Sequence, residues 1–190
     1  MTIGILAVQG DFEAHGEVLS KLGVEWLAVR KPVELEGLAG LILPGGESTT
    51  QLKFLKEEGL EGAIREFVNR GGAVFGTCAG AILLAREVRN PAQESLGLLD
   101  IVVARNAYGR QVASEVRLGN SKLWPDQLEM VFIRAPQVVE AGKNVEVLAE
   151  LDGQPVLMRQ GKVMVATFHP ELSAGTAVHS LFLQLSQNGH

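Results

Sequence analysis

The stretch Gly76-Thr77-Cys78-Ala79-Gly80 contains the only cysteine in 190 residues. It follows one apolar run, AVF, and precedes another, AILLA. A cysteine used for packing needs no glycine two residues away on each side. The spacing predicts a turn between a strand and a helix, with the sulfur at its tip. Gly-x-Cys-x-Gly is the thiol form of the nucleophile elbow, whose tight turn exposes the central residue. Glycine on both flanks lets strand and helix approach where a β-carbon would collide. The helix N-terminus offers unpaired N–H groups and a positive dipole end, which favour thiolate over thiol. The opposing reading is a buried cysteine acting as a small hydrophobe.

A nucleophilic thiol needs a base. Of the four histidines, His190 is terminal, and His15 and His179 sit in helical patterns, expected on solvated faces. His169 differs, because it directly follows the apolar run KVMVATF in Phe168-His169-Pro170-Glu171. Pro170 holds His169 extended, and residues two apart in an extended segment point the same way. Glu171 can therefore lie beside the imidazole, fix its tautomer and stabilise the imidazolium. His-Pro-Glu alone also fits an ordinary strand-end turn. Paired with a strand-end cysteine on one sheet, it describes a Cys-His-Glu triad.

Acyl chemistry on a thiol also needs donors for an oxyanion. The N–H of Ala79, just after the nucleophile, is one expected donor. The loop Pro44-Gly45-Gly46-Glu47-Ser48 is the expected source of a second, since its glycines let peptide planes face either way. A phosphate cradle is excluded there, because no Gly-Lys-Ser/Thr follows.

These groups must be carried by a sheet. TIGILAV, VEWLAVR, GLILP and AVFG read as strands, and residues 12 to 22 carry a helical pattern with Phe12, Val18, Leu19 and Leu22 inward. Ser48 and Gln51 have capping-box spacing ahead of the helix QLKFLKEE, and LEGAIREFVNR is a further helix ending at Gly71-Gly72. Strands alternating with helices predict a parallel sheet covered on both faces. Beyond residue 97, LLDIVVAR, QVASEVRL, MVFIRA, VEVLAEL, QPVLMRQ and KVMVATF read mostly as hairpin strands. Asp152-Gly153 and Gln160-Gly161 are their expected turns. A last helix is expected from Thr176 to Gln187. The fold expected is α/β, with an antiparallel addition in the second half, as one domain over residues 1–190.

Composition narrows the class. Hydrophobic residues make up 46% and charged residues 21%, which suits a soluble chain burying a real core. A net charge of −5 argues against a nucleic-acid footprint. One cysteine excludes an intrachain disulfide, no zinc-ligand pair is present, and no cofactor is called for. MTIGILAVQGDFEAHG lacks the features of a signal peptide, and no apolar run reaches the ~18 residues of a membrane helix. A cytoplasmic protein is expected.

LPGGEST, GTCAG and FHPE, in that order, resemble the triad (class I) glutamine amidotransferases. AVQGDFEAH, LILPGGESTT, FGTCAGAILLA, ARNAYGRQ, VFIRAP and TFHPELS extend the resemblance to the glutaminase subunits of pyridoxal 5′-phosphate synthases, essentially end to end. The resemblance implies a flavodoxin-like three-layer fold and hydrolysis of L-glutamine to glutamate and ammonia. It also implies a hetero-oligomer with a (β/α)8-barrel synthase subunit that consumes the ammonia. Carried over to this sequence, Cys78 is the nucleophile, His169 the base and acid, and Glu171 the orienting carboxylate. Gly46, Glu47 and Ser48 would contact glutamine mainly through backbone groups, with Arg105, Ile133 and Arg134 completing the pocket. Gly45, Gly46 and Ala79 would surround the oxyanion, and Gln9-Gly10 would face the partner. Two other readings share parts of the pattern. One is a stand-alone cysteine hydrolase or peptidase of related fold, which leaves the glutamine-pocket signatures unexplained. The other is a non-catalytic docking module, which leaves the joint presence of Cys, His and Glu unexplained.

Overall fold

A computed structural model describes residues 1–106 and 114–187. The first half alternates strands and helices. In order these are β1 (Thr2–Leu6), α1 (Phe12–Lys21), β2 (Glu25–Val29), β3 (Gly40–Leu43), α2 (Ser48–Glu57), α3 (Leu60–Asn69), β4 (Ala73–Thr77) and α4 (Ala79–Leu84). The second half is strand-rich: β5 (Ala85–Arg89), β6 (Leu99–Ala104), β7 (Ser114–Ser121), β8 (Leu128–Ile133), β9 (Gln137–Ala141), β10 (Glu146–Leu151), β11 (Gln154–Gln160) and β12 (Val163–Ala166). Helix α5 (Ala177–Gln187) closes the described chain.

The main sheet has the order β2-β1-β3-β4-β12-β11-β10-β7-β8, and β5, β6 and β9 form a smaller sheet. Its first five strands are parallel, in the doubly wound 2-1-3-4-5 order. From β12 onward every pairing is antiparallel. The expected flavodoxin-like α/β sheet with an antiparallel extension is therefore what the chain forms.

Alternation along the buried strands divides the core into two layers. Leu6, Leu41, Leu43 and Val74 pack with Leu52, Leu55, Leu60, Ile64 and Phe67 of α2 and α3. Ile3, Ile5, Ile42, Ala73 and Phe75 pack on the opposite face with Leu19 of α1 and Phe182 of α5. Strands buried on both faces need continuous apolar runs, which is why TIGIL, GLIL and AVF carry no charge.

Two local expectations are corrected. Ser48 and Gln51 do not form a capping box. Glu47 occupies the N-cap of α2 and accepts from the Thr50 N–H at 2.8 Å, while the Ser48 hydroxyl donates to Gln93 Oε1 at 2.8 Å. A carboxylate at this end also meets the helix dipole, which a hydroxyl does not. The second hairpin turn lies one residue later than expected. Gln160 still pairs with Val163, so the two-residue loop is Gly161-Lys162, with Gly161 at φ 58°. The Asp152-Gly153 turn is as expected, both residues at positive φ as a type I′ turn requires. Thr176 carries the first carbonyl of α5, accepting from Ser180 N–H at 2.9 Å.

Glycine at position 80 is dictated by this packing. A β-carbon there would collide with the Leu43 carbonyl oxygen at the end of β3. Gly80→Ala should destabilise the fold by more than ~2 kcal/mol, as a strained backbone overlap does. Gly62, inside α3 with open space around it, is the control. Gly62→Ala should stabilise by about 0.5–1 kcal/mol through helix propensity and unfolded-state entropy. Urea midpoints of the two variants check both signs.

Candidate active site

The C-terminal edge of the parallel sheet gathers four loops, after β1, β3, β4 and β12. In open α/β sheets this edge is where ligands bind. Cys78 follows β4 with φ 47° and ψ −101°, a backbone strained for a residue with a side chain. Its N–H donates to the Ala166 carbonyl at 2.9 Å, and its own carbonyl accepts from Ile82 at 3.3 Å. A β-carbon on Gly76 would come within 2.6 Å of the Gly80 backbone. The elbow read from Gly-x-Cys-x-Gly is thus the observed geometry. The thiol lies 3.7 Å from the Ile133 carbonyl.

His169 follows β12 and is held by its N–H donating to the Val131 carbonyl at 2.8 Å. Its Nδ1 lies 2.7 Å from Glu171 Oε1, both side chains buried. The segment is not extended as expected: His169, at φ −107° and ψ 85°, precedes a 3-10 turn over Pro170–Leu172, and it is this turn that brings the Glu171 carboxylate back to the ring. With Nδ1 engaged, Nε2 has no hydrogen-bond partner among the described residues. Burial works against a charged His169 ring. The Cys78 sulfur and the Glu171 carboxylate outweigh that penalty and raise its pKa to about 10.

The 44–48 loop sits directly beside this pair. A β-carbon on Gly45 would strike the His169 ring, so only glycine fits. Gly46 has φ 139°, which side chains disfavour. The Gly45 carbonyl accepts from Gln51 Nε2 at 3.2 Å, and that amide also reaches the carbonyls of Pro44 and Gln9. Gln9 Oε1 in turn accepts from the Glu47 N–H at 2.8 Å.

Glu47 opposes burial of its charge with hydrogen bonds from Thr49 and Thr50, which hold its carboxyl at about 2. Its other oxygen accepts from Arg105 Nη2 at 3.1 Å. The Glu47 side chain is thereby committed to the scaffold, and its backbone is engaged as well, the N–H by Gln9 and the carbonyl by the Gln51 N–H at 3.0 Å. Ile133 points its carbonyl to the thiol, and Arg134 follows, exposed and at φ 46°. The elbow, the His-Glu turn, the glycine loop, Arg105 and the Ile133-Arg134 turn all reach one edge. The ARNAYGR motif continues past residue 106 and lies partly outside the described residues.

His15 and His179 overturn an expectation. Neither is solvated; both are fully buried. His15 lies on the inward stripe of α1 with Phe12 and Leu19, three before and four after. That spacing was the signal available in the sequence, and the polarity of imidazole masked it. Gln9, Gln51 and Gln93 carried no such signal, because their partners are backbone carbonyls and loop groups distant in sequence. Asp11 lies on the same edge, its carboxylate within 4.8 Å of ligand atoms of His169 and Glu171. No helix among the described residues is long and apolar enough to cross a membrane.

A model of the SNO glutamine amidotransferase family matches residues 5–187. The chain is 55% identical over 190 residues to a Koribacter versatilis (strain Ellin345) protein named pyridoxal 5′-phosphate synthase subunit PdxT, covering 100% of this chain and 98% of that one. A Thermotoga maritima protein of the same name is 51% identical over 186 residues, covering 97% and 99%. A crystal structure described as a glutamine amidotransferase matches with a TM-score of 0.92 at 49% identity, over 97% of this chain and 98% of the other.

The buried imidazoles give the stability a pH dependence. Burial, then the neighbouring His179 and His169, holds His15 well below 6.5, and burial lowers His179 to about 4. Above pH about 6.5 both rings are neutral, folded or unfolded. Below it the unfolded chain binds protons that the fold excludes, so stability falls with falling pH. Each ring contributes ~1.4 kcal/mol per pH unit across that window. His169, raised to about 10, opposes one of these rings between pH 7 and 6 and is charged in both states below that, so the decline steepens from pH 6 downward. Chemical denaturation at pH 7, 6 and 5 should show this decline, and a flat profile above pH 5 would contradict it.

Proposed function

The chain belongs to the SNO glutamine amidotransferase family, and on that premise we propose that it is the glutaminase subunit of a pyridoxal 5′-phosphate synthase. It hydrolyses L-glutamine to L-glutamate and ammonia, and the ammonia passes to a separate synthase subunit built on a (β/α)8 barrel. The observation that carries the reading is the His169–Glu171 contact at 2.7 Å, which leaves Nε2 without a partner among the described residues, on a ring whose pKa is raised by the sulfur of a strained elbow.

In this reading Cys78 Sγ attacks the side-chain amide carbon of glutamine as a thiolate. The amide oxygen becomes an oxyanion held by the N–H of Ala79 and by the Gly45-Gly46 peptide. His169, charged at neutral pH, gives its Nε2 proton to the departing nitrogen, and ammonia leaves. Neutral His169 then takes a proton from water, which opens the γ-glutamyl thioester and restores the thiolate and the imidazolium. Glu171 keeps its charge throughout and fixes the ring through Nδ1.

Gly46 and Ser48 offer backbone groups to glutamine, Glu47 joins them where its N–H exchanges Gln9 for the substrate, and Arg105 and Arg134 offer guanidinium groups suited to its α-carboxylate. Ile133 closes the pocket over the thiol. Free ammonia in neutral water becomes unreactive ammonium, so direct passage to a docked partner makes chemical sense. Gln9 and Gly10, on the same edge, are the surface we assign to that partner. A cytoplasmic setting suits a mechanism that depends on a reduced thiol.

Glutamate release, measured alone and with the synthase subunit, tests the assignment. Cys78→Ala should abolish turnover while leaving the melting curve in place. His169→Asn should cost about 10⁶-fold in kcat and Glu171→Gln about 10⁴-fold, the pattern of triads in which the orienting acid matters less. Normal turnover by Cys78→Ala would refute the nucleophile, and cleavage of peptides in place of glutamine would favour a hydrolase of related fold.

A further inference from the structure

We propose that His15 is a positioning residue for the reaction: its Nε2–H faces the second oxygen of Glu171 and, backed by His179, fixes the carboxylate that orients His169. The inference rests on the Cys78–His169–Glu171 reading and extends it by two residues that the mechanism above leaves unused.

Glu171 Oε1 is occupied by His169, while Oε2 is buried and makes no hydrogen bond of its own among the described residues. His15 Nε2 approaches Oε2 at 3.4 Å and the Thr77 hydroxyl at 3.2 Å. On its other side, His15 Nδ1 lies 2.9 Å from His179 Nε2. These side chains come from α1, β4, α5 and the turn after β12, so four elements converge behind the triad.

Burial keeps both rings neutral at neutral pH, so each carries one proton. Only two arrangements satisfy the contact between them. In one, His15 Nδ1–H donates to His179; a bare His15 Nε2 then faces a carboxylate oxygen. His179 Nδ1, which has no partner among the described residues, becomes an orphaned buried donor. In the other, His179 Nε2–H donates to His15 Nδ1, and His15 Nε2–H points at Thr77 Oγ1 and Glu171 Oε2. The orphan is then an acceptor, the milder defect, and a donor meets the negative charge. The second arrangement wins on both counts.

Its consequence is mechanical as well as electrostatic. A carboxylate held at one oxygen can swing about its side-chain torsions, whereas one held at both oxygens keeps Oε1 on His169. The titratable groups facing His15 are His179 of α5 and His169 and Glu171 after β12, while the Asp11 carboxylate lies near the last two. From β4 it meets only the neutral Thr77 and the ring edge of Phe75. Among these it is Glu171 that His15 contacts and that the reaction uses.

Nitrogen NMR on the intact, histidine-labelled protein reads the tautomer without any substitution. A protonated Nε2 and bare Nδ1 on His15 are expected; the reverse tautomer would overturn the proposal. The second arm compares His15→Leu with His15→Gln, whose amide nitrogen restores a donor near the Nε2 position. With saturating synthase subunit, His15→Leu should lower kcat about 10–100-fold, the scale carried by outer hydrogen-bond partners. KM for glutamine should stay within about twofold, and His15→Gln should recover most of the loss. Wild-type kcat in the leucine variant, a change confined to KM, or no recovery with glutamine would each refute it. Should the leucine variant fail to fold, the tautomer decides alone. Glu171→Gln separates the levels: if it is fully active the triad reading itself fails, and if it is crippled while His15→Leu is not, only this inference fails.

Discussion

Strand β4 and helix α4 meet at a distance that only glycine permits, and the site hangs on that contact. Gly76 lies under the Gly80 backbone, and Gly80 lies against the Leu43 carbonyl. The helix must therefore leave the strand at once, and Cys78 absorbs the whole change of direction at φ 47°. Such a conformation costs about 1–3 kcal/mol and survives only where its surroundings over-determine it. Here hydrogen bonds to Ala166 and Ile82 pin the residue on both sides, and they come from the neighbouring strand and from the helix itself. The same registration of β4 between β3 and β12 brings the Gly45-Gly46 loop and His169 into contact. Moving any one of the three would move the others.

Behind the elbow the core is not purely apolar. His179, His15, Thr77, Glu171 and His169 form a connected polar chain among Phe75 and Phe182, in the layer between the sheet and helices α1 and α5. A buried carboxylate is expensive unless paired and hydrogen-bonded. Glu171 meets that requirement with an imidazolium held charged by its neighbours, and with a neutral imidazole at its second oxygen. The two histidine environments are pushed in opposite directions. His169 is driven toward the charged form by the sulfur and the carboxylate, whereas His15 and His179 are driven to neutrality by burial. Opposed shifts among neighbouring rings suit the proposed mechanism, in which His169 transfers protons and the other two support it.

The elbow was legible in the sequence because a side chain and its backbone requirement are adjacent there, at Cys78 between glycines. The pairing of His169 with Glu171 was legible too, although a 3-10 turn and not an extended segment brings them together. The parallel order of the first half followed from uncharged strands alternating with helical periods. Legibility ended where function depends on contacts between distant segments. Gln51 looked like a capping residue because Ser48 stands three before it, yet it binds three carbonyls of two other loops. The Glu47 side chain caps α2 and ties down Arg105, a scaffold role that the loop sequence alone does not display. His15 and His179 looked solvated because helical polarity was read residue by residue. Each lies on the inward face of its own helix, where the contact between them, and for His15 also Thr77 and Glu171, makes an imidazole acceptable.

The antiparallel extension looked in sequence like an elaborated edge, but it forms a wall of the site. Strand β8 ends the main sheet, and a terminal strand presents unpaired backbone groups that other chains could exploit. In this fold the Val131 carbonyl is taken by the N–H of His169, and the Ile133 carbonyl faces the Cys78 sulfur. Glu129 of the same strand accepts from the Ala174 N–H at 3.0 Å, just past the His-Glu turn. Three alternate residues of one edge strand thus hold the turn at its two ends and face the thiol. The pairings that carry β8 there run from β12 through β11, β10 and β7, so the strand preceding His169 also anchors the wall that packs against it. Catalytic geometry and edge protection are consequently the same set of hydrogen bonds, and the second half of the chain cannot be trimmed back to the parallel core without releasing His169.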